Sequence, residues 1–88
     1  MQQIGDNILQ PKIHPSIFNS ETWLFVDAKL AESKPTLQIT DISGKLVYSE
    51  SISESKTLLS TTNLASGVYI YKVVSSKFET KAGKIVKQ

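Results

Sequence analysis

Short runs rich in Val, Ile, Thr, Tyr and Phe, cut apart by clusters of Ser, Asn, Gly and Pro, do most to limit the folds open to this chain. From Thr36 to Asp41, Leu37 and Ile39 alternate with Gln38 and Thr40, which is the period of a strand with one dry and one wet face. No stretch keeps an apolar stripe at helical spacing for three turns. The pattern predicts strands over Ile8–Ile13, Thr22–Lys29, Thr36–Asp41, Lys45–Glu50, Lys56–Ser60, Val68–Val74 and Phe78–Val86. About seven short strands of this kind predict an all-β, immunoglobulin-like antiparallel β-sandwich.

Side-chain order along each run assigns places within the sheets. Val68–Val74 is apolar or aromatic on both faces except at Lys72, so it is expected at the centre of a sheet. Pro11 and Pro15 lack an N–H and place the first strand at an edge or an end. Ser49–Ser55, with four serines and two glutamates, reads as a solvated turn region. Residues 1–10 are expected to be a flexible linker, frayed over 1–7, and residues 11–88 a single domain. The 88 residues contain no Cys, so neither a disulfide nor a thiolate metal site is available and packing must supply stability. No apolar run approaches the roughly 20 residues of a membrane-spanning helix. Met1–Asp6 lacks the basic start and apolar stretch of a signal peptide.

Charge is distributed unevenly. Lys72, Lys77, Lys81, Lys84 and Lys87 stand against Glu79 in the last part of the chain, a net +4 within a total of +2. A basic end of this kind suits an acidic partner or an anionic surface, while lysines on a last strand also discourage edge-to-edge pairing.

Two turns carry specific conformational demands. Asp41-Ile42-Ser43-Gly44 lies between strand signals and suits a type I turn closed by Gly44 at positive φ, with the Asp41 carboxylate accepting backbone N–H bonds and Lys45 opening the next strand. Asn63-Leu64-Ala65-Ser66-Gly67-Val68-Tyr69 has the form Leu-x-x-Gly-x-Tyr. Leu64 is expected to plug an end of the sandwich, Gly67 to relieve a tight turn, and Tyr69 to pack its ring while its hydroxyl finds a partner.

These two motifs in this order, followed by Lys84-Ile85-Val86-Lys87-Gln88, resemble the C-terminal sorting domain family of Bacteroidetes proteins exported by the type IX secretion system. The resemblance covers residues 12–88 and is carried best from Thr36 onward; earlier, Ile13-His14-Pro15-Ser16-Ile17-Phe18-Asn19 keeps only the proline of the family's Asn-Pro context. It implies a non-catalytic sorting signal that directs an N-terminal cargo through the outer-membrane translocon. The implied partners are that translocon, a shuttle protein and a sortase-like protease, which usually removes the domain after transit through the periplasm. The cargo would stay at the cell surface or be secreted, with the junction within residues 1–10. Lys84, Ile85, Val86 and Lys87 would form the recognised C-terminal strand, Ile85 and Val86 holding it in the sheet and the lysines presenting charge.

Residue chemistry supplies little else. His14, the sole histidine, sits beside Pro15 with no acid at a catalytic spacing, and the acids are scattered rather than gathered into an oxygen-ligand loop. There is no Gly-rich phosphate loop. No enzymatic activity, no cofactor, no metal and no nucleic-acid partner is expected. The alternative reading is an accessory carbohydrate-binding or adhesive module, for which Trp23 and Phe25, sharing one face of the second strand, would offer a stacking platform. A structural spacer is a third reading. Open sheet edges also leave room for a self-dimer.

Overall fold

The computed structural model describes residues 8–88. Within them the chain forms β1 (Ile8–Leu9), β2 (Lys12–His14), β3 (Ile17–Phe18), β4 (Glu21–Phe25), α1 (Ala28–Glu32), β5 (Thr36–Asp41), β6 (Leu46–Ser51), β7 (Lys56–Ser60), β8 (Gly67–Val74), β9 (Glu79–Thr80) and β10 (Gly83–Lys87). One sheet has the order β2-β4-β7 and the other β3-β10-β8-β5-β6, while β1 pairs with β9. Pairing is antiparallel except for β1 with β9 and β3 with β10. This is the immunoglobulin-like sandwich expected from the sequence, with a first strand that serves both sheets: β2 belongs to one and β3 to the other. The chain crosses between them at His14-Pro15, whose peptide bond is cis.

Strand alternation builds the core. Leu24, Leu37, Ile39, Leu59, Val73 and Ile85 are fully buried between the sheets, and Ile13, Phe18, Tyr69 and Tyr71 join them. Burying each of the large aliphatic side chains contributes on the order of 1.5–3 kcal/mol relative to exposure, which is how a chain without disulfides holds together. Where antibody domains place an inter-sheet disulfide, two residues beyond the corner tyrosine, this chain has Tyr71. Its ring is buried, and its hydroxyl crosses the core to donate to the Pro11 carbonyl at 3.2 Å.

Several boundaries differ from expectation, each for a local reason. The second predicted strand ends at Phe25 rather than Lys29, because Asp27 caps a helix: its side chain accepts from Lys29 N at 2.9 Å. Ala28-Lys29-Leu30-Ala31-Glu32 are favourable helix residues, and Leu30 and Ala31 turn inward to close one end of the core. The helix stops at Ser33; Lys34 then takes a left-handed φ of 53° and Pro35 prevents continuation. At five residues this helix was too short to show a stripe. The first predicted strand is broken at buried Pro11 into β1 and β2. The last is broken at Lys81-Ala82 into β9 and β10, which pair with different neighbours.

β8 is central, as expected, but its two faces are unequal. Tyr69, Tyr71 and Val73 are buried, whereas Val68, Ile70 and Val74 lie on the outer face and are exposed. The terminal strand is also not a plain edge. β10 pairs with β8 along its length, and β3 covers its other side over Val86 and Lys87. Val86 N donates to Ser16 O and Gln88 N to Phe18 O, both at 2.8 Å. Lys87 thus lies in the covered part of the strand, while Lys84 lies in the part that β3 does not reach.

Candidate functional site

The turn between β5 and β6 is assembled by its own carboxylate. Asp41 Oδ1 accepts from Ser43 N at 2.9 Å, Ser43 Oγ at 2.6 Å and Lys45 N at 3.0 Å. Gly44 N donates to Asp41 O at 3.0 Å, and Asp41 N donates to Lys45 O at 2.9 Å. Gly44 sits at φ 92°, where a Cβ is disfavoured. The Ser43 hydroxyl, then the Lys45 N–H, hold the Asp41 carboxyl below its ordinary value of 3.8.

The lead-in to β8 is a second small assembly. Leu64 packs partly buried against the core and donates its N–H to Thr61 O at 3.0 Å. Gly67 takes φ 156°. The Tyr69 ring is buried, and its hydroxyl reaches back to the Ala65 carbonyl at 2.6 Å, the tyrosine corner found where strands E and F meet in immunoglobulin-like sandwiches. One side chain thus ties the turn to the strand that follows it.

Tertiary pairing brings these pieces and the terminal strand to one end of the five-stranded sheet. Asp41 faces Tyr69 across the β5–β8 ladder, and on the other side of β8 Ile85 faces Tyr69, Val86 faces Val68, and Lys87 faces Gly67. Asp41, Lys45, Leu64 and Tyr69 line one shallow open depression. Ile85 is fully buried, Val86 and Lys87 are half-buried, and Lys84 is exposed.

Three contributors to this region were not foreseen. Ile17 and Phe18 form β3, which latches the terminal strand, but two residues make too short a run to signal a strand. Gly83 lies against the Tyr71 ring so closely that an added Cβ would collide with it. Such a close approach between residues twelve apart leaves no local mark. On β6, Tyr48 donates to the Glu50 carboxylate, and burial together with that bond pushes its pKa up to about 12.

Residues with other chemistry are dispersed. His14 is exposed on β2 opposite Trp23. Among the described residues no group of three His, Cys, Asp or Glu could hold a metal ion, and no helix is long and apolar enough to cross a membrane. Trp23 and Phe25 do share the outer face of the three-stranded sheet, and both are partly exposed. Lys56 Nζ lies 4.6 Å from the Trp23 ring centroid and 5.9 Å from that of Phe25, however, so a sugar stacking there would have to displace a cation already on the rings.

The fold defines a small immunoglobulin-like β-sandwich module whose distinguishing features are the β5–β6 hairpin turn, the tyrosine-cornered connection from β7 to β8 between the sheets, and a terminal strand. The model of the secretion system C-terminal sorting domain matches residues 16–88, and the chain belongs to that family. No curated protein and no solved structure matches it significantly. The domain is a sorting signal for type IX secretion, directs its parent protein toward the outer membrane and cell surface, and interacts with the type IX machinery.

Proposed function

We propose that the secretion machinery reads this domain as a folded object, at the end of the five-stranded sheet where the Asp41–Lys45 turn, the Leu64–Tyr69 lead-in and Lys84–Lys87 meet. The observation that carries this reading is their convergence: three segments far apart in sequence become neighbours on Tyr69 and Val68. In this reading Asp41, Gly44, Leu64, Gly67 and Tyr69 hold the shape, Ile85 and Val86 fix the last strand, and Lys45, Lys84 and Lys87 present charge. The N-terminal cargo leads into the domain ahead of β1. The partners are the outer-membrane translocon, a shuttle protein that receives the cargo, and a sortase-like protease that cuts before β1 after passage from the periplasm. The domain itself performs no catalysis.

The test is export of a periplasmic fluorescent reporter fused to residues 1–88, in a type IX-competent host and in a matched strain lacking the translocon. Translocon-dependent appearance of the reporter outside the cell is the expected result. Retention of a demonstrably folded fusion in the periplasm would sink the reading. Deleting Lys84–Gln88 is a poor substitute, because it removes buried Ile85 and uncovers both β8 and β3. The charge reversal Lys45→Glu probes the same end at an exposed position and is expected to lower export.

A further inference from the structure

Nine large apolar residues are exposed among those described, and five of them, Ile17, Leu46, Val68, Ile70 and Val74, lie on the outer face of the five-stranded sheet. Register joins three of these, Ile17, Val68 and Ile70, through half-buried Val86, while Leu46 stands one strand further on, beyond Thr40. Ile17, Val86 and Val68 form one cross-strand row, and Lys84, Ile70, Thr40 and Leu46 form the row beside it. With strands about 4.8 Å apart, the first row alone is an apolar strip roughly 10 Å wide. Exposure is 56% at Ile17, 50% at Leu46, 40% at Val68 and 38% at Ile70, so this is open surface and not the margin of the core. An apolar sheet face with a polar surround is the form of a surface meant to be covered.

The charges on this face are of one sign. Lys84 stands in the second row and Lys72 in the next, opposite Gln38. The remaining positions are threonine, glutamine, serine and Val74, with no Asp or Glu. Lys72 is partly engaged, its Nζ donating to Thr80 O at 3.1 Å. Lys84 borders both Val86 and Ile70 and is the cation that a partner laid on the strip would meet. Two copies of this face brought together would hold lysines and no carboxylate to pair them, so charge favours an acidic partner over a second copy.

Resting on the reading above that the machinery engages this end of the fold, we propose that the outer face of the five-stranded sheet is the docking surface. Its occupant is a protein surface with an apolar centre and a carboxylate placed to meet Lys84. The strip supplies the desolvated centre of the contact and Lys84 its orientation, as an interface with an apolar core and a charged rim requires. The three-stranded sheet also exposes Trp23, Phe25 and Leu58 on its outer face, but there Lys56 of the same chain already sits over both aromatic rings.

The test uses the reporter fusion with Ile70→Glu and Lys84→Glu, set beside Ile70→Leu, Lys84→Arg and, on the other sheet, Leu58→Glu. All three positions changed are solvent-exposed, and thermal melting of each 88-residue chain checks folding. Ile70→Glu and Lys84→Glu are expected to reduce extracellular reporter by about tenfold, the scale of one lost interface contact, while Leu58→Glu exports normally and Ile70→Leu and Lys84→Arg, which keep the apolar surface and the charge, export well above their Glu counterparts. Normal export of folded Ile70→Glu and Lys84→Glu would overturn the docking face while leaving the sorting function standing; failure of the unaltered fusion would remove both. Two measurements separate other occupants. A dimer of the unaltered chain in sedimentation that Ile70→Glu dissociates would assign the face to a second copy. Co-flotation with phosphatidylglycerol vesicles that Lys84→Glu abolishes would assign it to an anionic lipid surface. Either result overturns the acidic protein partner.

Discussion

Gly44-Lys45-Leu46-Val47 leads into β6, and Gly83-Lys84-Ile85-Val86 makes up most of β10; as local sequence the two are nearly interchangeable. In the fold they are opposites. β6 is the edge of the five-stranded sheet, and Leu46 is half exposed there. β10 lies between β8 and β3, and Ile85 is fully buried. The glycines differ as sharply. Gly44 is needed for its backbone, at φ 92° with open space around it, whereas Gly83 is needed for its lack of volume beside Tyr71. The same four-residue pattern thus serves a local turn in one place and a long-range close approach in the other.

Shortening the two aliphatic residues, Ile85 and Leu46, is expected to give the largest difference between the strands. Ile85→Ala is expected to cost about 2–5 kcal/mol by loss of buried contacts and creation of a cavity, read as a lower midpoint in urea unfolding. Equal losses for Ile85→Ala and its edge counterpart Leu46→Ala would refute the contrast drawn here.

Gly83→Ala comes next, at roughly 1–3 kcal/mol, because the added methyl must move a packed ring. In a double-mutant cycle, combining it with Tyr71→Val should cost clearly less than the two changes added together; simple additivity would mean that the ring is not the obstacle. Gly44→Ala is expected to cost about 1 kcal/mol through backbone strain alone, and Gly44→Asn less, since Asn tolerates positive φ. No substitution of Tyr71 should rescue it.

The turn also has a pH signature. Asp41 is more acidic folded than unfolded, so its contribution is present above the ordinary carboxylate value and disappears as pH falls through the lower folded value. Melting temperature measured from pH 5 downward should therefore fall less steeply in Asp41→Asn than in the parent. Parallel curves would show that the carboxylate charge is not what holds the turn. Leu46→Ala is the smallest expected change, within about 0.5 kcal/mol, as for most exposed positions.

Much of this was legible without the fold because it depends on neighbours in sequence. Asp41, Ser43, Gly44 and Lys45 satisfy one another within five residues, and Tyr69 bonds to Ala65 only four residues away. Alternation alone placed Trp23 and Phe25 on one face; that this face is the outer one, and that Lys56 of β7 lies over it, came from the fold. Less visible was α1, where a capping aspartate and Pro35 bracket a helix of little more than one turn. Such a helix survives because Leu30 is buried, since segments this short are not stable by propensity.

Sequence alone set the local grammar of the fold: which residues share a face along each strand, where the Asp41 turn closes, and that no disulfide assists. The tertiary structure alone decided that the last strand lies inside a sheet rather than at its rim. It also decided that Gly83 must stay small, and that Ile17, Val86, Val68 and Ile70 adjoin one another on an open face. The physical reason is that alternation and turn chemistry are set within a few residues. Strand neighbours are chosen by the burial and hydrogen bonding of the whole sandwich, which no single run of residues contains.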